Sequence, residues 1–485
     1  MTTTPSGSSP SSRLSLPGLL AFSTPGLSIG ALAIAMSVYL PRHYAGHFGL
    51  GLPVVGFAFM IVRLVDTAFD PFIGVAMDRT RSRLGRYRLW LVGGAPVLMG
   101  AVYMLFNPPG AVGLLYLVGW LFVYYIGTSL IALSHASWAS VVAGNYHERS
   151  RVFGVIQFVS IIGATIALLL PIAMAKHDGS SGAGDVGAMG WFVFWAVPFG
   201  VILAVMRTPE RVIQDQGADG FRLRDYWEMI SRPDMGRIII ADFCLALGPG
   251  WMSALYLFYF HDARGFTIAN SSLLLLIYVM AGIAGAMTLS IVAQRMGKHR
   301  TLMMASTGYS LGLIALAFLP RANLPLASVF MALMGFLAAG FPLLDRAMVA
   351  DVGDAVRLEQ GKHRVGLLYA MITTSQKVAG ALSIGLSFTV LGWIGYQAKD
   401  GAVNTPEAIF GMQLVYLIGP VVFVMLGGAC FIGYKLDSKR HAEIRRQLEE
   451  RDGLIEAPII ESLSGSQSMP GVIHGHDSDE IVQPG

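Results

Sequence analysis

The chain has 485 residues, of which 54% are hydrophobic and only 13% charged, and its mean hydropathy is +0.59. Such a composition excludes a water-soluble globular protein and indicates a protein that lies within a membrane. The formal net charge of +4 is accounted for by basic loops on one side of that membrane, so no nucleic-acid partner is expected.

A membrane-spanning helix needs about 20 consecutive apolar residues, and the sequence contains twelve candidate segments. In chain order the predicted spans are 16–40, 52–77, 89–106, 114–135, 152–175, 188–206, 238–260, 271–292, 301–319, 326–344, 365–394 and 409–432. Both cysteines, Cys244 and Cys430, fall within spans, so no disulfide framework is implied.

The twelve spans divide into two sets of six on either side of a charged stretch. The predicted organisation is a disordered N-terminus (1–15), an N-terminal six-helix bundle (16–206), a central linker (207–237), a C-terminal six-helix bundle (238–434) and a mostly disordered tail (435–485) that begins with a short polar helix. The stretches that begin at Phe48 and Arg264 resemble each other weakly. Internal symmetry of this kind is typical of transporters that rock one half against the other.

Basic residues are concentrated in alternate loops, as in "DRTRSRLGRYR" between the second and third spans. Such loops tend to remain in the cytoplasm, so the N-terminus, linker and tail are predicted to be cytoplasmic. A cleaved signal peptide is not expected, because the chain opens with a polar stretch and its first apolar run is too long.

The second span carries Arg63, Asp66 and Asp70 at spacings of three and four residues. In a helix this spacing places all three side chains on one face. A charge at mid-membrane costs roughly 2.5–3.5 kcal/mol on insertion scales, so these residues form either an ion pair that fixes helix packing or a site where a coupling ion binds. Two carboxylates one turn apart repel each other, and a bound proton or cation relieves that repulsion.

Two stretches resemble a known family. "RLVDTAFDPFIGVAMDRTRSRLGRYRLWLVGG" from Arg63, and the region from Met348 to Tyr396 that contains "TTSQK", resemble the glycoside-pentoside-hexuronide cation symporters, the melibiose-permease branch of the major facilitator superfamily. The resemblance implies an all-α integral membrane fold of twelve helices in two six-helix bundles. It also implies that Asp66 and Asp70 bind the coupling cation, with Lys377 close to them across the interface between the bundles.

The substrate-binding positions depart from the family pattern. Trp138 matches a family tryptophan, but Ser134 stands where sugar-transporting members carry an aspartate, and Gln157 and Arg346 replace an arginine and a tryptophan. Together with Arg63, these four residues are the predicted substrate-binding set. The cation-binding half of the site is thus retained, whereas the substrate-binding half is rebuilt.

The basic loop after the second span is predicted to act as a conformational latch, as the similar loop of the superfamily suggests. Its candidate residues are Asp78, Arg79, Arg83, Gly85 and Arg86. The alternative is that these charges only set the membrane topology.

Three further polar residues, His135, Asp242 and Asp345, lie near the ends of predicted spans. Each is interpreted as either a contact between helices or a contact with substrate. The sequence does not decide between these roles.

No phosphate-binding loop and no metal-ligand spacing occurs in the sequence, so neither an enzyme nor an ATP-driven pump is expected, and no cofactor or structural metal is predicted. The predicted function is secondary active transport, with symport of a sugar or glycoside-like solute driven by a proton or sodium gradient. A proton is favoured, because Ser134 leaves fewer oxygen ligands for a metal ion.

Two alternatives remain: a carrier of lipids or other amphiphilic solutes, and a non-transporting assembly or sensor protein. The expected partners are a small-molecule substrate, the coupling cation and the lipid bilayer. The protein is expected to be a monomer in a bacterial inner membrane.

Overall fold

The computed structural model describes residues 15–82, 84–110, 112–142, 146–178, 183–208, 210, 223–361 and 364–465. Within these ranges the regular secondary structure is entirely helical. Twelve long helical segments follow one another along the chain. They are α1 (Leu16–Gly46), α2 (Leu52–Arg79), α3 (Arg86–Phe106), α4 (Leu114–Val142), α5 (Tyr146–Asp178), α6 (Ala183–Arg207), α7 (Pro233–Ala263), α8 (Ile268–Met296), α9 (Lys298–Leu316), α10 (Leu324–Gln360), α11 (Val365–Trp393) and α12 (Pro406–Ala429).

Ten of these segments are long and apolar enough to cross a membrane, which agrees with the predicted all-α membrane protein. Helices α9 and α11 are not among the ten; α11 carries the polar run 373–377 near its middle. The number of twelve spans therefore stays a prediction.

Helix boundaries follow local sequence signals. The side chains of Thr267, Asn323 and Thr405 each accept a hydrogen bond from a backbone N–H in the first turn of α8, α10 and α12 respectively. Proline occupies one of the first two positions of α2, α7, α10 and α12, where its missing N–H is not needed by the helix.

Two regions differ from the sequence-based boundaries. Helix α10 continues to Gln360, sixteen residues beyond the predicted end of its span at Leu344. Beyond α12, a tail helix (Ser438–Gly465) is longer than the short polar helix expected there. Ion pairs of Arg446 with Glu443 and Glu450, at 3.0 and 3.7 Å, support the tail helix from its own surface.

Helices α1–α6 pack mainly with one another, as do α7–α12, and the two groups form the two bundles. Within the first bundle α3 packs against α4 and α6, and α5 packs against α1. Within the second, α7 packs against α11 and α12, and α8 packs against α10. The bundles meet mainly where α2 contacts α11 and where α5 contacts α8.

The helices alternate in direction, so their ends form two faces of the molecule. The terminal face carries the start of α1 and the end of α12; there Arg237 donates a hydrogen bond to the carbonyl of Ile432 at 3.2 Å. The opposite face carries the end of α1 and the start of α12, and there the N–H of Asp400 donates to the carbonyl of Gly46 at 3.1 Å.

A cluster of charged and polar side chains joins the bundles at the opposite face. Arg42 at the end of α1 donates to Asp262 at the end of α7 at 2.9 Å and lies 3.1 Å from Nδ1 of His261. The Tyr396 hydroxyl donates to the second carboxylate oxygen of Asp262 at 2.5 Å. Burial, together with the neighbouring Asp262 carboxylate, raises the pKa of Tyr396 far above its ordinary value, so the phenol stays protonated and remains a donor. We call these four residues the opposite-face clasp.

Helices α2 and α11 are in close contact near the opposite face. This contact keeps the two bundles together from that face toward the middle of the molecule. A Cβ atom at Gly385 would lie 2.5 Å from the sulfur of Met60, and one at Gly56 would lie 2.7 Å from Cβ of Phe388. Any larger side chain at either glycine therefore separates the two helices.

The same pair of helices diverges toward the terminal face. Gly74 lies eighteen residues, or about five helical turns, after Gly56 and so points in the same direction. A Cβ atom at Gly74 would meet nothing within 4 Å, and the same holds for Gly366, three turns before Lys377 on α11. The space between the bundles is thus closed at the opposite face and open at the terminal face.

Candidate functional site

The predicted ion-binding residues lie where α2 and α11 are still in contact, next to the opening. Lys377 Nζ lies 3.3 Å from Oδ2 of Asp66 and also contacts Oδ2 of Asp70. The lysine belongs to the second bundle and the two aspartates to the first. The structure therefore brings the three residues together across the bundle interface.

Ser129 on α4 completes the cluster, and the sequence analysis did not identify it. Its hydroxyl oxygen lies 2.9 Å from Oδ1 of Asp66 and 2.8 Å from Oδ1 of Asp70. A hydroxyl has one hydrogen to donate and can also accept. Both contacts are complete hydrogen bonds only when one carboxylate is protonated and donates to the serine oxygen. The Ser129 hydroxyl thus lies between the two carboxylates.

The charges in direct contact do not balance, since two carboxylates face one ammonium group. Arg63, one turn before Asp66, places its guanidinium 5.7 Å from the centre of the Tyr125 ring, and no ion pair of 4 Å or less joins it to the two acids. The charge of Arg63 still acts on Asp66 from beyond that distance, whereas Lys377 is the cation in direct contact with both acids.

The cluster is not completely sealed by the surrounding helices. The Asp66 side chain is only 5% exposed, but the Asp70 and Lys377 side chains are 17% and 26% exposed. A coupling ion therefore has an approach from the Asp70 side. A sealed ion pair, with a purely structural role, would lack such an approach.

The predicted substrate-binding residues occupy different environments. Gln157 and Arg346 are exposed and Arg63 is partly exposed. Trp138 is fully buried, with its ring 5.0 Å from that of Phe22 and 5.4 Å from the Arg88 guanidinium carbon. Ser134 is fully buried too, and its hydroxyl donates to the Leu130 carbonyl at 2.6 Å.

Neither Trp138 nor Ser134 thus faces open space in this conformation. His135, the neighbour of Ser134, is also buried, with Nε2 2.8 Å from the Phe22 carbonyl oxygen. This bond makes His135 a contact between α4 and α1. The assignment of the five predicted residues to substrate stays a prediction.

Among the predicted latch residues that the structure describes, Gly85 and Arg86 form the start of α3. Gly85 has a φ of +104° and stands directly before the helix, and Arg79 is exposed at the end of α2. Arg83 lies outside the described residues, as does the side chain of Asp78.

The partner of this loop is Glu210, which sequence reasoning missed. Its carboxylate accepts the backbone N–H groups of Arg86, Tyr87 and Arg88 at 2.7, 3.0 and 3.1 Å. The first N–H groups of a helix lack partners inside the helix and attract a negative charge. The sequence offers no side-chain cap at the start of α3 and places an acid, Glu210, shortly after α6. These two features together were the available signal for the contact.

Two helical bundles that are closed at one face, open at the other, and joined by a buried charge cluster define a secondary active transporter of the major facilitator fold. A crystal structure of the nucleoside transporter NupG has the same fold: it superposes with a TM-score of 0.61 at 14% identity, covering 87% of this chain and 100% of that one. The sequence model of the MFS/sugar transport protein family matches residues 21–438. The chain belongs to this family.

Curated relatives cover nearly the same length. The uncharacterized symporter YnaJ of Bacillus subtilis is 27% identical over 438 residues, which are 86% of this chain and 91% of YnaJ. The isoprimeverose transporter of Lactiplantibacillus pentosus is 27% identical over 435 residues, 86% of this chain and 88% of that protein. The family match and these relatives confirm the resemblance to the cation symporters, and they confirm that the chain is a membrane transporter and not an enzyme.

Proposed function

We propose that the protein is a cation-coupled symporter that moves a sugar or glycoside by alternating access. The named relative that transports isoprimeverose supports a sugar as the substrate, in preference to a lipid or other amphiphile. The observation that carries the coupling is the cluster of Asp66, Asp70, Ser129 and Lys377, which spans the bundle interface and is not completely sealed.

The coupling ion competes with Lys377 for the two carboxylates. When the site is empty, the ammonium group holds both acids and so ties α11 to α2. An ion that binds to Asp70 and Asp66 neutralises them and weakens this attachment, because a charged group gains less from a neutralised partner. Ion binding thereby lowers the cost of moving one bundle against the other. The shared Ser129 hydroxyl favours a proton as that ion.

The terminal face is proposed to be cytoplasmic. Basic side chains at the helix ends of that face include Arg79, Arg86, Arg207, Arg237, Arg295, Lys298 and Arg300, and basic residues are retained on the cytoplasmic side. With this orientation the structure is an inward-facing state of a monomer, and a bacterial inner membrane is the proposed location.

Within that state, Arg63, Gln157 and Arg346 are proposed to contact the substrate from the open space. Trp138 and Ser134 take part only if the helices around them rearrange. The loop of Asp78, Arg79, Arg83, Gly85 and Arg86 is proposed to close this face when the bundles rock, with Glu210 holding the start of α3.

Uptake of radiolabelled isoprimeverose into proteoliposomes tests the proposal, with a proton gradient and a sodium gradient imposed separately. We expect accumulation with one gradient only, and its loss in Asp66→Asn and Asp70→Asn, which remove the ion-binding charge but keep the side-chain size. Exchange of sugar without a gradient should persist in both variants. Asp354→Asn, an acid-to-amide change at the terminal face, is the control. Normal accumulation in both site variants would overturn the proposed coupling.

A further inference from the structure

A second polar site lies inside the C-terminal bundle. A cavity of about 400 Å³ opens between α7, α8, α10 and α11, and its lining includes Asp242, Asp345, Gln376, Tyr278 and Phe341. Ligand pockets commonly have volumes of about 300–1,000 Å³, so a small organic molecule fits. Helices α8 and α11 are also the two that pack against the N-terminal bundle, which puts the cavity beside the bundle interface.

The two carboxylates of this cavity are buried but not satisfied. Asp242 is 2% exposed and Asp345 is 1% exposed. Gln376 donates to Oδ1 of Asp242 at 2.8 Å, and the Ser375 hydroxyl is near enough to interact with the same carboxyl group. Oδ2 of Asp242 and Oδ1 of Asp345 have no hydrogen-bond partner of normal geometry among the described residues. The two acids are near enough for the charge of Asp242 to act on Asp345.

Buried polar atoms nearly always have partners, and each exception calls for an explanation. Asp66 and Asp70 show a different arrangement, in which the protein itself supplies the partners of two neighbouring acids. Those partners are a lysine and a serine. No lysine, arginine or histidine of the described chain forms an ion pair with Asp242 or Asp345; the ion pairs lie elsewhere. Hydrogen-bond donors on a ligand would satisfy these oxygens.

The cavity walls specify the ligand further. Leu245, Ala246, Pro249 and Phe341 give it an apolar surface, and the two carboxylates give it hydrogen-bond acceptors at one place. A molecule with adjacent hydroxyl donors and a C–H face matches both features, and a sugar ring is such a molecule. The N-terminal bundle lacks this pairing, since Ser134 replaces the expected aspartate and is buried.

We propose that Asp242 and Asp345 are the acceptors for the hydroxyl groups of the transported sugar, so that the sugar is held mainly by the C-terminal bundle. This inference rests on the proposed sugar symport and names the site for its substrate.

Helix α11 connects this site to the ion site. Gln376 holds Asp242, and the next residue, Lys377, holds Asp66 and Asp70. A sugar that draws Asp242 toward itself shifts Gln376, and the shift passes to Lys377 through one peptide unit. Arg346, the exposed neighbour of Asp345 along the chain, interacts electrostatically with Asp242.

Equilibrium binding of isoprimeverose, lactose and raffinose to the purified protein, without a gradient, tests the proposal. We expect Asp242→Asn and Asp345→Asn each to weaken binding by tenfold or more, because an amide presents a donor where the sugar also donates. Asp354→Asn should bind as the wild type does. In Asp345→Asn the ion dependence of any residual binding should be unchanged, since Asp66, Asp70 and the hydrogen bond from Gln376 to Asp242 are intact.

The outcomes separate this inference from the symport proposal. Wild-type affinity in the Asp242→Asn/Asp345→Asn double variant would overturn the inference and leave symport standing. Binding by the wild type without gradient-driven accumulation would overturn symport and leave the inference standing. Failure of the wild type to bind any of the three sugars would overturn both.

Thermal unfolding without ligand distinguishes a ligand-binding role of Asp242 and Asp345 from a purely structural role. Unsatisfied buried acids reserved for a ligand cost the empty protein stability, so Asp242→Asn and Asp345→Asn should unfold at the wild-type temperature or higher. A lower unfolding temperature in both variants would show that the acids hold the helices together, and would overturn the proposal.

Discussion

The two buried acid pairs of this transporter differ in how they are satisfied. Asp66 and Asp70 contact a lysine and share a serine hydroxyl, whereas Asp242 and Asp345 keep an acceptor oxygen each without a partner among the described residues. A pair already held by a positive charge exchanges that charge for an ion. A pair that keeps unpaired acceptor oxygens can accept hydrogen bonds from a substrate. The difference in partners thus separates the proposed coupling site from the proposed sugar site.

The largest expected effect comes from removing the lysine of the satisfied pair. Lys377→Met leaves two carboxylates at the interface without their cation, and breaking such a buried pair costs about 3–5 kcal/mol. We expect a lower unfolding temperature at neutral pH that recovers as the pH falls, because protonation removes the unpaired charge. The exposed Lys399→Met is the control, and equal stability of the two variants would contradict this account.

Another acid, the partly exposed Asp262 of the opposite-face clasp, is paired with Arg42 and Tyr396 and is expected to act as a gate. Asp262→Asn weakens charge-assisted hydrogen bonds of about 1.5–3 kcal/mol each, which shifts the population toward a state open at the opposite face by roughly tenfold or more. Labelling of Ser37→Cys by an impermeant thiol reagent, added from the opposite face in a background lacking Cys244 and Cys430, measures the shift. Unchanged labelling would rule out a gating role.

A smaller effect is expected from Ser129→Ala, which removes the hydroxyl shared by Asp66 and Asp70. A hydrogen bond to a charged group contributes about 1.5–3 kcal/mol, so the ion concentration for half-maximal uptake should rise by roughly tenfold while the maximal rate is kept. Ser140→Ala, whose hydroxyl bonds only to the Ser137 carbonyl, is the matched control. An unchanged ion dependence would show that Ser129 does not contribute to the ion site.

The smallest effect on sugar binding is expected from changing Gln376, which connects the Asp242–Asp345 pair to the Asp66–Asp70 pair through the adjacent Lys377. Gln376→Leu removes one hydrogen bond to Asp242, worth about 0.5–1.5 kcal/mol, and should weaken sugar binding a few-fold in calorimetry. It should also make sugar affinity less dependent on the coupling ion, because the link to Lys377 is lost. Thr373→Val, an exposed change on the same helix, is the control. If sugar affinity in Gln376→Leu depended on the ion as strongly as in the wild type, Gln376 would not connect the sugar site to the ion site.

The grouping of Asp66 and Asp70 on one face of α2 was predictable from sequence, because charge in an apolar helix is conspicuous and their spacing fixes a common face. Ser129 was not, since a serine in a membrane helix commonly bonds to its own backbone and only the fold brings it to Asp66 and Asp70. Asp345 was placed at the edge of a span because the apolar run ends at Leu344. Helix α10 in fact continues, so the acid lies inside the bundle, and tertiary packing decides its burial.

The close contact at Gly385 has a practical consequence. A single added methyl group there, as in Gly385→Ala, would lie 2.5 Å from the sulfur and 2.7 Å from Cβ of Met60. It therefore disfavours the arrangement that is closed at the opposite face and favours a state in which α2 and α11 are apart. The substitution is therefore a route to capturing the other half of the transport cycle for structure determination without any inhibitor.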